Sequence, residues 1–356
     1  MNRHVICLVL AVCLLLSGCG WMDGNYVSAQ PHREQLSGTQ DGVTSASNYQ
    51  QLRQVMTELV EAGYETAVIH TGEYDQKQLL KGMDNAINYV SNLLPLGAYA
   101  VDVIAYDIGT LGGEPVVSVS ISYVHGRSEI RNIQDVADVE QAKQVMGEVL
   151  DQCSDGIVLR VTEYTELDVA QFIKDYASIH PDTVMEVPRV AVGVYPETGT
   201  ERIIEVNFTY RTRRESLQQM QTQVQRVFDS AALYVSDDGA LSEKYNQLYR
   251  FLMERYDYKI DTSITASYSL LCHGVGDSEA FATVYAAMCT QAGLECQIVS
   301  GTRAGRAWCW NLIRDEGGYA HVDLLQSSQQ GLFTRLTGAE MQGYVWDYSA
   351  YPDGVG

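Results

Sequence analysis

The residues most able to do chemistry lie in the C-terminal third of the chain. Ser278 follows Asp277 at the predicted start of a helix, and His321 and Asp323 lie two residues apart on a later predicted strand. The unpaired backbone N–H groups of a helix start stabilise the charge of a nucleophile. A serine also needs a base, because its hydroxyl is far harder to ionise than a thiol. A carboxylate could in turn hold that base in the right tautomer.

The order of short motifs in this region resembles the transglutaminase-like superfamily. Its members read G-V-C-x-G-Y-A, then H-A-W-N, then W-Y-x-V-D; this chain reads GVGDSEAFA, then WCWN, then GYAHVD. On that pattern Ser278 stands in place of the nucleophilic cysteine and Trp308 in place of the histidine, and only Asp323 fits. The resemblance covers about residues 238–356. It implies a papain-like α+β core, in which one central helix packs on an antiparallel sheet.

The two replacements argue against catalysis. Trp308 cannot act as a base, because an indole N–H only donates hydrogen bonds. The loss of one member of a nucleophile–base pair can lower a rate on the order of 10⁶-fold. No catalytic residue is therefore assigned to the triad positions Ser278, Trp308 and Asp323, and the sequence favours a pseudoenzyme. The alternative is an active peptidase or transamidase that uses Ser278 or a relocated cysteine, with His321 or His273 as the base.

The residues at and beside the altered triad positions suggest a binding site. Trp308 and Trp310 alternate onto one strand face, and the Trp308 indole N–H can donate to Asp323 in place of the missing imidazole. With His321, these residues would line an aromatic cleft suited to a peptide or a sugar face. The candidate binding residues are Trp308, Trp310, Asp323 and His321. Two alternatives remain open: Trp308 fills a dead cleft as core packing, or the domain is purely structural and the preceding repeats bind.

The sequence does not determine any disulfide pairing between the cysteines. Five of them follow residue 100, an odd number, so at least one stays free or pairs with another chain; they are Cys153, Cys272, Cys289, Cys296 and Cys309. Cys309 neighbours Trp308 on a predicted strand and should therefore point away from Ser278. Cys289 and Cys296 are expected to be small buried hydrophobic residues.

An internal repeat precedes this domain. Residues 116–123 match residues 203–210 without a gap, and upstream motifs recur at nearly the same distance. The first copy is predicted to have strands at 66–70, 98–106 and 116–123 and helices at 76–93 and 139–150. The second has strands at 156–161, 189–195 and 203–210 and helices at 167–177 and 215–232. The predicted fold class is α+β, with two tandem β-α-β-β-α modules, at residues 50–152 and 153–236, before the domain at 237–356.

The N-terminus indicates export. A charged start and a dozen apolar residues precede Leu16-Ser17-Gly18-Cys19, which resembles the bacterial lipoprotein box. It implies a signal peptide over residues 1–18 and acyl chains on Cys19 that anchor the protein to the cell membrane, facing the extracytoplasmic side. Residues 19–49, rich in small polar residues, are predicted to be a flexible tether.

The composition narrows the classes of molecule that the protein is expected to bind. A net charge of -21 argues against nucleic acid as a partner. No metal-ligand spacing and no phosphate-binding loop is found, so no metal or cofactor is predicted. The expected function is binding or scaffolding at the cell envelope, on a wall peptide, a glycan or a partner protein.

Overall fold

The computed structural model describes residues 42–72, 74–260 and 265–351. They form an α+β structure with several sheets, as the sequence predicted. The predicted signal peptide, Cys19 and most of the predicted tether lie outside the described residues. None of the described helices combines the length and the apolar character that are needed to cross a membrane.

The end of the predicted tether is structured. Strand β1 (Gly42–Ser45) pairs in parallel with β2 (Thr66–His70). Helix α1 (Tyr49–Glu61) begins after Asn48, whose side chain accepts a hydrogen bond from the backbone of Gln51. The prediction of a tether up to residue 49 is therefore wrong for residues 42–49. A four-residue strand is too short to show an alternating pattern, and its hydrogen bonds come from a strand distant in sequence.

The first sheet is built from β1, β2, β3 (Val101–Leu111) and β4 (Glu114–Tyr123), in the order β1-β2-β4-β3. Helices α1, α2 (Gln76–Asn92) and the short α3 (Pro95–Ala100) supply apolar side chains to its buried face. The predicted strand at 98–106 is wrong at its start, because α3 occupies residues 95–100. Pro95 opens α3, where its fixed φ and missing N–H suit the first helical turn.

The second sheet has the same strand order, β5-β6-β8-β7. Its strands are β5 (Gln134–Asp138), β6 (Gly156–Glu163), β7 (Arg189–Tyr195) and β8 (Arg202–Thr209). Helix α4 (Arg127–Arg131) places Ile130 against the core of the first sheet, whereas α5 (Val139–Asp151) and α6 (Val169–Ile179) pack in the core of the second sheet. Helix α7 (Arg214–Tyr234) buries its apolar side in the core of the C-terminal part of the chain. In both sheets the first pair is parallel and the other two pairs are antiparallel.

Helix α5 belongs with the second sheet. Its buried residues Ala142, Met146 and Leu150 pack in the core of that sheet, whereas the repeat assigned residues 139–150 to the first copy. Sequence similarity shows which strands of the two copies correspond, but it does not show with which copy a helix between them packs. Burial assigns α5 to the second sheet. The limits of the two modules stay a prediction.

The C-terminal part places one helix on an antiparallel sheet. The sheet has the order β13-β12-β11-β14, from β11 (Cys296–Arg303), β12 (Arg306–Asp315), β13 (Gly318–Val322) and β14 (Tyr344–Trp346). The remaining elements are α8 (Leu241–Met253), the two-residue strands β9 (Asp257–Tyr258) and β10 (Val275–Gly276), α9 (Ala266–Tyr268), α10 (Ser278–Gln291) and α11 (Leu324–Gln330). Helix α10 contributes Phe281, Val284 and Tyr285 to the core on one side of the sheet.

The opposite face of this sheet carries a separate core. Trp310, Leu312 and Trp346 pack there with Val299 and Met341. Because β12 alternates, Ile313 points to the α10 side while Trp310 and Leu312 point away from it. The face on which each side chain lies therefore determines which candidate residues meet.

Candidate functional site

Ser278 is the first residue of helix α10. Asp277 is the cap, and its Oδ1 accepts a hydrogen bond of 3.0 Å from the backbone N–H of Ala280. The Ser278 side chain is buried, with only 8% of its surface exposed. The helix start is thus preserved around a hydroxyl that has little access to solvent.

The Ser278 hydroxyl is held by backbone and has no base beside it among the described residues. Its Oγ accepts a hydrogen bond of 3.3 Å from the backbone N–H of Cys309. The space between Ser278, Asn311 and Leu325 is too small to admit a water molecule. A substrate carbonyl would need more room than this to approach the hydroxyl.

The two histidines weighed as rescue bases are occupied elsewhere. His321 is 1% exposed, and its Nδ1 accepts a hydrogen bond of 3.0 Å from the Trp310 indole N–H. His273 is exposed, and its ring lies edge-on to Tyr268. Neither residue lines the space around Ser278.

Asp323 is a buried hub of hydrogen bonds. Its Oδ1 accepts from the backbone N–H groups of Leu325 and Gln326, at 3.0 and 3.1 Å, and so caps helix α11. Its Oδ2 accepts from Trp308 Nε1 at 2.8 Å, which is the hydrogen bond expected from the sequence. A carboxylate offers about four lone-pair sites. Two further donors, Arg303 and Tyr344, also contact Oδ2, so little acceptor capacity remains on Asp323.

Those two donors, Arg303 and Tyr344, are functional neighbours that sequence reasoning missed. Arg303 Nη1 lies 3.2 Å and Tyr344 Oη 2.6 Å from Asp323 Oδ2. The two residues face each other across the β11–β14 pairing, and the Arg303 guanidinium lies over the rings of Trp308 and Tyr344. Nothing in the sequence showed that the segment Tyr344–Trp346 pairs with β11.

Tyr344 remains a donor because its ionisation is disfavoured. Burial, the hydrogen bond to Asp323 and the charge of that carboxylate all raise the pKa of Tyr344, and Arg303 offsets them only in part. The hydroxyl therefore keeps its proton at any physiological pH. With the indole of Trp308, it satisfies the buried carboxylate, and neither group acts as a base at physiological pH.

The predicted aromatic cleft is wrong for three of its four residues. Trp310, His321 and Asp323 are 1%, 1% and 2% exposed, so they present almost no surface to a ligand. Strand β14 lays Tyr344 and Trp346 against Trp310 and covers this face of the sheet. A pattern of alternation shows that side chains share a face, but not whether another strand covers that face.

Trp308 keeps a partly exposed ring. It lies 5.8 Å, centroid to centroid, from Tyr258, which is 47% exposed, and below the Arg303 guanidinium. Of the predicted site, Trp308 alone remains accessible. Trp308, Tyr258 and Arg303 are named here the Trp308 surface.

The cysteines offer no activated nucleophile at the helix start. The prediction that Cys309 points away from the Ser278 region is wrong. Its backbone contacts Ser278, and its thiol lines a cleft beside Glu279 on the α10 side. Burial raises the pKa of Cys309; Ser300 opposes this, while Glu279 and Asp277 add to it. Cys289 is fully buried, as expected, but Cys296 is only partly buried and lines the same cleft, so its predicted burial is wrong. All five cysteines in the described part of the chain are free thiols.

A metal ion is held in a protein by a group of ligating side chains. Within residues 42–72, 74–260 and 265–351, no group of three or more His, Cys, Asp or Glu side chains is placed to hold a metal ion.

Comparison with known proteins gives one family match and two similar solved structures. Residues 230–324 match the family model of the transglutaminase-like superfamily. A crystal structure of a transglutaminase aligns with 61% of this chain and 63% of its own, at 10% identity and a TM-score of 0.26. The structure of a "putative protease" from Parabacteroides distasonis aligns with 72% of this chain and 39% of its own, at 8% identity and a TM-score of 0.23.

The chain thus spans less than two thirds of the length of either solved structure. No curated protein matches it. What the family match establishes is that this chain carries a transglutaminase-like domain, a class whose members can be catalytic or not.

Proposed function

We propose that this chain is a lipid-anchored protein of the cell envelope whose transglutaminase-like domain binds a partner and does not catalyse. One observation carries the proposal. The Asp323 oxygen that would orient a catalytic imidazole is occupied by Trp308, Arg303 and Tyr344. An aspartate in this state acts as a structural acceptor, because no histidine can approach it without displacing these donors.

The surroundings of Ser278 support the same conclusion. A serine nucleophile requires a base within hydrogen-bond reach, about 2.6–3.2 Å. The partner of the Ser278 hydroxyl is a backbone N–H, which cannot accept a proton. The lack of water-sized space beside it also opposes the hydrolysis of any intermediate. The alternative, an active peptidase or transamidase, would need a base that the described residues do not supply.

The Trp308 surface is the region of this site that a partner could reach. Tyr258 and Trp308 present aromatic faces, and Arg303 adds a planar cation beside them. Aromatic rings with polar edges bind peptide and sugar faces through apolar contact combined with hydrogen bonds. The envelope location rests on the lipoprotein-like N-terminus, and the acidic net charge is consistent with a polypeptide or glycan partner in preference to nucleic acid.

The test uses the chain without its signal peptide and lipid, incubated with purified cell-wall sacculi and envelope proteins. Mass spectrometry follows cleavage and cross-linking by the wild type and by Ser278→Ala. No products are expected from either. Products that disappear in Ser278→Ala would show that Ser278 is a working nucleophile and would overturn the proposal.

Binding is followed in the same samples by co-sedimentation with the sacculi and by capture of the envelope proteins. Tyr258→Ala is expected to lower retention, because it removes an exposed ring from the Trp308 surface. Tyr348→Ala is the matched control: this tyrosine is 56% exposed and contacts Trp346, outside the Trp308 surface. Equal retention of both variants, or no retention of the wild type, would reject this surface as a binding site.

A further inference from the structure

A cleft lies between the second α+β sheet and the transglutaminase-like domain. It has a volume of about 370 Å³, within the range of ligand sites, which is roughly 300–1,000 Å³. Its walls are the end of helix α6, at Ser178 and Ile179, and the outer side of helix α10, at Glu279 and Thr283. Its floor is the first part of strand β11. A second cleft of about 330 Å³ shares Ser178, Glu279 and Thr283 with it, so the two are continuous along α10.

The floor of this cleft is an incomplete sheet edge. Strand β12 pairs with all of β11, from Cys296 to Arg303. On the other side, β14 pairs only with Gly301, Thr302 and Arg303. The chain then turns away, because Asp347 caps a short 3₁₀ turn at Tyr348–Ala350. Within the described residues, no strand pairs with the outer edge of residues 296–300.

The side chain of Tyr351 forms a hydrogen bond with the backbone of this edge. Tyr351 Oη donates a hydrogen bond to the carbonyl of Ile298 at 3.3 Å. The hydroxyl thus takes the place where a paired strand would supply a backbone N–H. Open edges of this kind recruit extended polypeptide, which contributes main-chain hydrogen bonds while pockets beside the edge select its side chains.

The charged residues that line the two clefts indicate which charge a bound peptide would carry. Glu279 is the one charged side chain in the lining of the first cleft, and it is exposed at the first turn of α10. No ion pair with it occurs within the described parts of the chain, so its carboxylate is available to a ligand cation. Lys174 lies in the lining of the second cleft, which favours placing the cation of the ligand at the Glu279 end. Ile179, 60% exposed, offers an apolar contact on the opposite wall.

We infer that this cleft binds an extended peptide with a lysine, arginine or free amine, which pairs with the edge of β11 at residues 296–300 and places its cation against Glu279. Five residues of strand span about 16 Å at 3.3 Å per residue. The inference rests on the proposed binding function, but it uses a surface separate from the Trp308 surface.

The probe is a pooled library of N-acetylated, C-amidated hexapeptides with lysine fixed at the third position, compared with the same pool with glutamate fixed there. The chain without signal peptide and lipid is used, retained peptides are identified by mass spectrometry, and the tightest lysine peptide is resynthesised for anisotropy titrations. The lysine pool should be retained at least tenfold better. Equal retention of the two pools, or no retained lysine peptide, would overturn the inference.

Two variants then separate the Glu279 contact from general electrostatics. Glu279→Gln should weaken the lysine peptide about five- to tenfold and abolish the preference over glutamate. Glu243→Gln is the matched control, since Glu243 is also a first-turn glutamate, on helix α8 and away from the cleft. An equal loss in both variants would mean that the peptide responds only to net charge, which contradicts the assignment of Glu279.

Backbone pairing has its own tests. Alternate backbone N–H groups of an extended peptide point to its two opposite edges. Two versions of the peptide are therefore made, each with N-methyl groups on the amides of one edge only. Pairing with β11 predicts that one version loses binding and the other keeps it, so the same result for both would exclude the edge. Tyr351→Phe frees the edge and should tighten binding about 2–10-fold, the range of one modest hydrogen bond; an unchanged affinity would place the peptide elsewhere.

These outcomes are independent of the catalytic test. Products that depend on Ser278 would defeat the proposed function whatever the peptides do. Failure of the peptide tests, with no products formed, would defeat only the cleft assignment.

Discussion

The hydrogen bond from Trp308 to Asp323 should contribute measurably to the stability of the domain. Trp308→Phe keeps an aromatic ring beside Tyr258 but removes an N–H that lies 2.8 Å from a carboxylate with 2% exposure. Hydrogen bonds to charged groups contribute about 1.5–3 kcal/mol. The remaining donors, Arg303 and Tyr344, already contact the same oxygen and cannot replace the lost one. We therefore expect Trp308→Phe to lower the free energy of unfolding by about 1.5–3 kcal/mol.

The matched control is Trp346→Phe. The Trp346 indole N–H is buried without a hydrogen-bond partner, so its removal costs ring packing but no hydrogen bond. A double-mutant cycle with Asp323→Asn separates the two terms, because packing losses at the tryptophan cancel in the coupling energy. Asparagine keeps an acceptor oxygen without the charge. The Trp308–Asp323 coupling should thus be about 1 kcal/mol, the difference between hydrogen bonds to charged and neutral acceptors.

The assay is urea unfolding monitored by tryptophan fluorescence. Three of the four tryptophans lie in the transglutaminase-like domain, so the signal reports on that domain. The coupling of Trp346→Phe with Asp323→Asn should be below about 0.5 kcal/mol. A Trp308–Asp323 coupling no larger than this would refute the idea that the indole replaces the missing imidazole as a partner of the carboxylate.

Three further predictions concern caps, charge and thiols. Asp277→Ala removes the cap of α10 and should destabilise the domain by about 1 kcal/mol in urea unfolding, whereas Asp277→Asn should remain near wild type; equal losses would show that the cap hydrogen bond is unimportant. Burial would raise the pKa of Glu186, but hydrogen bonds from Arg211 and Thr212 outweigh it and lower that pKa. Glu186→Gln should therefore be less stable than wild type by about 1 kcal/mol at pH 7. Urea titrations should show this difference shrinking as the pH falls below the ordinary glutamate range, because protonation of Glu186 removes its advantage; a constant difference across pH would contradict this. Burial raises the pKa of Cys289 well above its usual value, so mass spectrometry should find Cys289 unalkylated in the native protein and alkylated after unfolding, with the partly exposed Cys309 as the comparison; labelling of native Cys289 at the rate of Cys309 would disprove its burial.

Much of the local structure followed from short-range patterns. The strand at 66–70 and the start of the helix at 76 were predicted to the residue, because the sequence patterns that define such elements act over a few positions. The Trp308–Asp323 hydrogen bond also followed from the family spacing together with the rule that buried carboxylates are satisfied. Boundaries were less accurate where a neighbouring element competes, as at residues 98–100, where Pro95 begins a helix.

Pairings between distant segments could not be read in this way. Strand β1 and the β11–β14 pair depend on partners that are far away in sequence, so no periodicity announces them. The assignment of helix α5 to the second sheet likewise depends on where Met146 and Leu150 are buried. Conformational preference is local, whereas burial and strand pairing are properties of the assembled chain.

The sequence by itself determined that this protein has an α+β fold, an internal similarity between two strand-rich segments, and a transglutaminase-like domain with serine and tryptophan at two triad positions. Residue identity is enough for these conclusions, since a tryptophan cannot accept a proton in any conformation. Only the tertiary structure decided that Arg303 and Tyr344 complete the ligands of Asp323, that β14 buries Trp310, and that a cleft opens beside α10. Each of these depends on how distant strands and helices pack, because access to a side chain is fixed by the elements that cover it.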